Sequence, residues 1–294
     1  MPISLTGKRW LVQEWDDLVV KGLSEALSIE PAVSGVLFLR GIRTKQQGEI
    51  FLESSLKQLN NPSDIPGIIP AADRIIEAIR NKEKICIYGD YDVDGITATS
   101  LMFLVLERFG ADVFYFIPNR MEHGYGLPYL NIREIRKAGT DLLVTVDNGI
   151  SANEEVALAH SLGMEVIITD HHEPPIELPE TKFIINPKVY RRTTVDDSSS
   201  ASLGSSSDPS VVSGRGGGDF TSLAGVGLAF ALMIAVRACL RPSAGSGSHA
   251  NERELPNLSE YLDLVAIGTI GDVAPLTGEN RILVRHGLEK IARS

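Results

Sequence analysis

The chain has 294 residues, enough for two domains or one large α/β domain. Its 43% hydrophobic and 22% charged residues fall in the range of ordinary globular proteins and exclude collagenous, coiled-coil and wholly disordered classes. Its 28 basic against 38 acidic side chains leave a net charge of −10, which excludes a basic protein that coats nucleic acid. A chain whose carboxylates gather around cations remains compatible with that charge. Cys86 and Cys239 both lie in apolar runs and read as buried thiols in a reducing compartment, with no disulfide framework. The longest apolar stretch, residues 223–236, is shorter than the roughly 18–20 residues of a membrane span and contains Gly225 and Gly227, and no signal-peptide core precedes it. A soluble, non-membrane protein is expected.

In chain order, residues 1–70 form a helical N-terminal segment. Apolar residues recur at helical spacing over 20–27 and 33–39, and a turn cluster follows at 60–64. From residue 71 helices alternate with β-rich runs: helix 72–80, strand 84–88, helix 96–109, strand 112–117, helix 130–138, strand 141–146, helix 152–162, and strands 165–169 and 182–185. Strands separated by single helices predict right-handed βαβ units and an α/β fold with a mostly parallel sheet flanked by helices. Residues 193–219 are dense in Ser and Gly and almost lack large apolar residues, so they predict a flexible insertion. A helix at 223–240 follows, then a loop at 242–254 and helical stretches at 258–266 and 281–292.

The acidic residues fall at strand ends. Gly89-Asp90-Tyr91-Asp92-Val93-Asp94-Gly95 follows the first strand, Asp147-Asn148-Gly149 the third and Asp170-His171-His172 the fourth. In a parallel sheet such loops share the carboxyl edge, where α/β folds build their sites. Gly268-Thr269-Ile270-Gly271-Asp272-Val273 reads as a fourth acidic loop after an apolar run ending at Ile267. Asp90, Asp92, Asp94, Asp147 and Asp272 in one crevice would be forced to take up protons unless cations were present. Two divalent ions nearly offset five carboxylates. A donor set of carboxylates and imidazole suits manganese or magnesium better than zinc. This chemistry predicts a two-metal phosphoester hydrolase.

Each motif alone has a plainer reading. The Asp-x-Asp-x-Asp-Gly run lacks the glutamate a calcium loop needs, because position 101 is Leu101. Asp147-Asn148-Gly149 alone is a turn, and His171-His172 alone a loop pair. Their joint placement at successive strand ends is what argues for a site. In the 117–127 segment, Arg120 and His123 are candidates for gripping a phosphate, with a salt-bridged surface loop as the alternative. Lys188 reads either as a phosphate contact or as a solvent-facing lysine, and the 278–281 segment as a helix start.

These motifs resemble those of the DHH phosphoesterase superfamily in its RecJ branch. The resemblance rests on the four acidic runs, on Lys8-Arg9-Trp10, Pro118-Asn119-Arg120 and Gly124-Tyr125-Gly126, and on Leu223-Ala224-Gly225-Val226-Gly227. It implies a DHH domain over 71–294 and a manganese- or magnesium-dependent 5′–3′ exonuclease core acting on single-stranded DNA in repair or recombination. It also implies roles. Asp92 and Asp94 would ligate separate metals with Asp90 nearby, Asp147 would bridge them, and His171 and Asp272 would complete the shell. His172 would contact the scissile phosphate, oriented with its neighbour by Asp170. Arg120 would hold the substrate backbone, with His123 and Asn148 as further substrate-binding candidates. Some relatives carry a histidine where this chain has Tyr88, which shifts weight onto Asp90. The Ser/Gly-rich insertion departs from compact bacterial members and points to a plastid or mitochondrial version, a cytoplasmic location following if the source is bacterial. The family's second domain, with its Gly-Gly-His motif and nucleic-acid-binding barrel, is not found before Ser294, so metal binding is expected to survive and processive nuclease activity to be weak or lost. A phosphodiesterase for short oligonucleotides or small phosphoesters, and a truncated non-catalytic form, stand as alternatives.

Overall fold

The computed structural model describes residues 13–118, 127–189, 220–240 and 255–293. The predicted insertion 193–219 and loop 242–254, together with Arg120 and His123, lie outside them. The chain divides into two compact units, Met1–Gln58 and Leu59–Ser294.

In the first unit, helices α1 (Asp17–Leu27), α2 (Pro31–Leu39) and α3 (Lys45–Leu52) pack together. Asp16 caps α1 by accepting hydrogen bonds from the Leu18 and Val19 backbone N–H groups. Pro31 opens α2 at the position where its missing N–H costs nothing. The sequence reading placed no helix at 45–52, yet Thr44 and Gln47 form a reciprocal capping box that starts α3.

In the second unit, α4 (Ile68–Asn81) leads into β1 (Lys84–Gly89), α5 (Val93–Phe109), β2 (Asp112–Phe116), α6 (Tyr129–Lys137), β3 (Leu142–Val146), α7 (Asn153–Ser161), β4 (Glu165–Thr169) and β5 (Phe183–Ile185). Helices α8 (Gly225–Leu240), α9 (Leu262–Gly271) and α10 (Gly278–Ile291) follow. The strands form one parallel sheet in the order β2-β1-β3-β4-β5. The chain leaves β1 for β2 on one side and returns to β3 on the other, so a switch point lies between β1 and β3. Gly89 pairs with Val146, Val146 with Thr169 and Thr169 with Ile185, which levels the carboxyl ends of four strands.

Strand alternation divides the core. Cys86, Tyr88, Leu143, Val166 and Ile168 pack with Ile132 and Ile135 of α6 and Val156 and Ala159 of α7. The alternate residues Ile85, Ile87, Leu142, Val144 and Ile167 are fully buried and face the other way, where α4, α5 and α8 pack, with α9 lying against α5 and α8. Helix α8 is apolar almost all round because it is buried almost all round, up to Val236; Cys239 in its last turn is exposed, not buried as expected from the apolar run. No single helix among the described residues is long and apolar enough to cross a membrane.

At the opposite, amino edge of the sheet, Arg74 of α4 is buried between two carboxylates. Its Nη2 donates to Glu83 Oε2 and its Nε to Glu165 Oε2, each at 2.5 Å. Arg74→Met removes two charge-assisted bonds but leaves both glutamates able to reach water. A loss of about 2 kcal/mol is expected, read as a fall of about 4–8 °C in Tm.

Candidate metal centre

The end of β1 is shaped for tight passage. A Cβ at Gly89 would stand 1.9 Å from Thr99 Oγ1, and one at Gly95 would stand 2.5–2.7 Å from the Asp90 backbone. Between these glycines the chain turns directly into α5. Asp92 is the N-cap, accepting from Gly95 N at 2.9 Å. The helix therefore starts at Val93, three residues before the predicted start, and Asp94 occupies its first turn instead of a loop. Asp90 accepts from Tyr91 N at 2.6 Å.

Asp94 is held from the far side. Its Oδ2 accepts from Gly225 N at 2.6 Å and its Oδ1 from Val226 N at 2.9 Å, the first residues of α8. Those N–H groups have no partner within their own helix, and the helix dipole favours a carboxylate there. Gly225 is also a contact surface, since a Cβ would lie 2.8 Å from Asp147 Cβ and 2.9 Å from its Oδ1.

Asp147 follows β3 in the left-handed conformation, φ 62°, with its N–H donating to Thr169 O at 2.9 Å. Its neighbour Asn148 is buried and donates through Nδ2 to Val146 O at 2.9 Å and to Tyr88 O at 3.4 Å, fastening the ends of β3 and β1 together. After β4, Asp170 accepts from Ile150 N through Oδ2 at 2.9 Å. Its Oδ1 meets both His172 N (3.0 Å) and His172 Nδ1 (2.7 Å). Asn186, at the end of β5, donates to the His172 carbonyl. Asp170 thus orients His172.

His171 points into the carboxylates. Its Nε2 lies 3.0 Å from Asp147 Oδ1 and 3.8 Å from Asp94 Oδ2, and its Nδ1 4.0 Å from Asp272 Oδ2. Asp272 ends α9, so 268–271 is not the loop expected from sequence but the last turn of a helix. Glycines are tolerated there because neither has room for a side chain. A Cβ on Gly268 would meet Thr97 Oγ1 at 2.2 Å and Val226 Cγ1 at 2.8 Å, and one on Gly271 would meet Val93 Cγ1 at 2.7 Å.

Three overlapping groups of donor atoms result, each within 4.8 Å: Asp90, Asp92 and Asp147; Asp94, His171 and Asp272; Asp147, His171 and His172. Asp147 Oδ1 and His171 Nε2 are buried and have no hydrogen-bond partner despite their approach to 3.0 Å. Two facing donor atoms left in that condition, in an oxygen-rich set without cysteine, fit hard or borderline divalent cations.

The electrostatics agree. Burial, then the charges of Asp94 and Asp92, push Asp147 up to about 10. Burial also pushes Asp94 up to about 6, against the two N–H groups of α8 and His171. Asp90 is raised by burial, and His171 is lowered by burial. His172 is held up at about 9, first by its hydrogen bond to Asp170. For Asp170, burial acts upward, but the bonds and charge of His172 together outweigh it and hold the carboxyl low. Asp94 and Asp147 therefore bind more protons in the metal-free folded state than in the unfolded chain. Their stabilisation is complete below the unfolded value of 3.8 and is lost as pH rises through about 6 and about 10. His172 has the same sign between 6.5 and about 9, while lowered His171 opposes it near 6.5. The metal-free protein is expected to lose Tm from pH 5 to pH 8 and to recover it on adding manganese, as thermal melts in a chelator would show.

The site is that of a doubly wound α/β protein whose switch-point crevice gathers acidic and imidazole donors for cations. The chain belongs to the DHH family: the description "DHH family, N-terminal domain" matches residues 84–269. It is 40% identical over 286 residues to the single-stranded-DNA-specific exonuclease RecJ of Bacillus subtilis, covering 97% of this chain and 31% of that protein. Among solved structures it is similar to exonuclease RecJ bound to manganese, with a TM-score of 0.59, 35% identity, and 78% of this chain and 49% of that chain covered. It is also similar to RecJ in complex with Mn2+ from Thermus thermophilus, with a TM-score of 0.68, 31% identity, and 94% and 34% covered. The chain spans about a third of the length of the Bacillus relative.

The sequence reading missed Gly225 and Val226 as donors to Asp94, and Ile150 and Asn186 as supports of the histidine loop. The glycine that opens the apolar run at 225 was visible. Its partner, 131 residues away, was not.

Proposed function

We propose that this chain is the catalytic core of a manganese- or magnesium-dependent exonuclease that hydrolyses single-stranded DNA from the 5′ end. The observation that carries this reading is the convergence of Asp90, Asp92, Asp94, Asp147, His171 and Asp272 at the switch point, with Asp147 Oδ1 and His171 Nε2 buried and unpartnered. The similarity to manganese-bound RecJ supports it and supplies the substrate class. Residues 71–294 are read as the DHH phosphoesterase domain.

In this reading Asp90, Asp92, Asp94, Asp147, His171 and Asp272 would hold two cations, and Asp147 would contribute to both positions. When bound, the ions supply Lewis-acid polarisation of the phosphoryl group and a nucleophile from water at neutral pH. The protein's own contributions are positional and electrostatic. The α8 N–H groups fix Asp94 so that both its oxygens keep their orientation. Asp170 keeps His172 protonated near neutral pH, and the half-exposed imidazolium donates to a non-bridging oxygen of the scissile phosphate. Arg120 and His123 are assigned to the strand, while Asn148, buried with its Nδ2 on the Val146 and Tyr88 carbonyls, is read as positioning the ends of β3 and β1.

The test is label release with manganese present. Slow release of labelled mononucleotide from 5′-labelled single strands and retention of 3′ label in long products are expected, with both labels staying on the intact strand in a chelator. Release of label from neither end would overturn the reading.

A further inference from the structure

Val273, one residue beyond Asp272, is the most conspicuous backbone exception among the described residues. It is β-branched, holds φ 59°, and is 86% exposed. The left-handed conformation closes α9, with Val273 N donating to Ile270 O at 3.1 Å and Ala274 N to Thr269 O at 3.2 Å. Glycine ends helices in this way at no steric cost, whereas a β-branched residue is strained there. The isopropyl group thus costs the fold energy and is left almost wholly open to solvent. Next to it, Ile270 is 44% exposed. Val93, lying between Asp92 and Asp94, is 46% exposed and covers the place where a side chain on Gly271 would go. Apolar surface therefore stands within one or two residues of three of the carboxylates.

We infer that Val273, with Val93 and Ile270, forms an apolar lip that packs against the base and sugar of the nucleotide whose phosphate lies over the carboxylates. The inference rests on the phosphodiesterase reading above. A phosphate held at Asp92, Asp94 and Asp272 carries its nucleoside onto adjoining surface, and Val273 is a single Cα step of about 3.8 Å from Asp272. Bases present a face to apolar groups whatever their sequence, so the lip holds nucleotides without selecting among them. An oligonucleotide with hydrogen in place of its terminal bases keeps the phosphates and loses the partner of the lip.

The experiment measures kcat/KM with manganese on two 5′-labelled single strands, one ordinary and one abasic at its first nucleotides. Wild type, Val273→Gly and Val273→Ile are compared, with Tm measured on each. Wild type is expected to favour the ordinary strand by about five-fold or more. Val273→Gly folds, because glycine suits the left-handed position, and its preference for the ordinary strand falls toward one. Val273→Ile keeps the preference. An unchanged preference in Val273→Gly would overturn the lip. So would an equal loss on both strands, which would assign the side chain to holding Asp272 or to a protein interface. Wild type inactive on both strands overturns the phosphodiesterase reading and the lip with it.

Discussion

Asp147→Asn is expected to lower manganese-dependent hydrolysis by more than about 100-fold, beyond the usual effect of residues outside the ligand shell, and at the same time to stabilise the metal-free protein. The two effects have one origin. Asp147 stands with Asp90 and Asp92 in one donor group, and its Oδ1 lies 3.0 Å from Nε2 of His171, which belongs to the other group with Asp94 and Asp272, so its loss reaches both cation positions. Without cations the same carboxylate is 1% exposed and is pushed up to about 10 by burial and by Asp94 and Asp92. At pH 8 that raised value is a cost to folding that an amide does not carry. At pH 5 the cost is small, so the Tm gain should be clear at pH 8 and slight at pH 5. Asparagine is the appropriate replacement because it tolerates the φ of 62° that Asp147 adopts. Thermal melts in a chelator at the two pH values, beside rates with manganese, measure both halves. A Tm that falls at pH 8 would contradict the electrostatic account.

Gly268→Ala is the second large effect. Its methyl would enter the junction of α5, α8 and α9, where Thr97 Oγ1 is 2.2 Å away, Val226 Cγ1 2.8 Å and Asp94 Oδ1 3.0 Å. Thr97 is anchored to Val93 O and Asp94 O, and Asp94 to the first turn of α8, so none of the three can move without loosening another. Overpacking of this kind costs about 2–3 kcal/mol, or about 5–10 °C in Tm. Because the displaced atoms include Asp94 Oδ1, manganese affinity should fall about ten-fold or more. Gly22→Ala gives the contrast. Gly22 lies inside α1 with nothing within 4 Å of its would-be Cβ, so alanine should be neutral or stabilise by up to about 1 kcal/mol. Melting curves and calorimetric titration on the two variants separate a packing glycine from a merely tolerated one.

Much of this architecture was legible because the chemistry is local. The runs at 84–89, 142–146 and 165–169 are short, apolar and followed at once by Asp90, Asp147 and Asp170, so strand, edge and acidic residue are read together. What escaped reading depends on contacts between distant segments. Gly268 and Gly271 look like loop residues until the helices that crowd them are known. Asp94 looked like a loop residue because the apolar periodicity starts only at Ile96, whereas the helix begins at Val93, and its partners at 225 and 226 belong to another element. The strain at Val273 has no signature in composition. Helix α3 carried a readable signal in the Thr44–Gln47 spacing, but its apolar periodicity is weak and Gly48 interrupts it.

The central claim, that these carboxylates and His171 exist to hold cations, is tested most directly by calorimetric titration of the metal-free chain with manganese in buffers of different ionisation enthalpy. The account predicts two ions bound per chain with release of protons at neutral pH, because Asp147 must give its proton up, and with Asp94 adding to that release below about pH 6. Absence of binding, or binding without proton release, would contradict it.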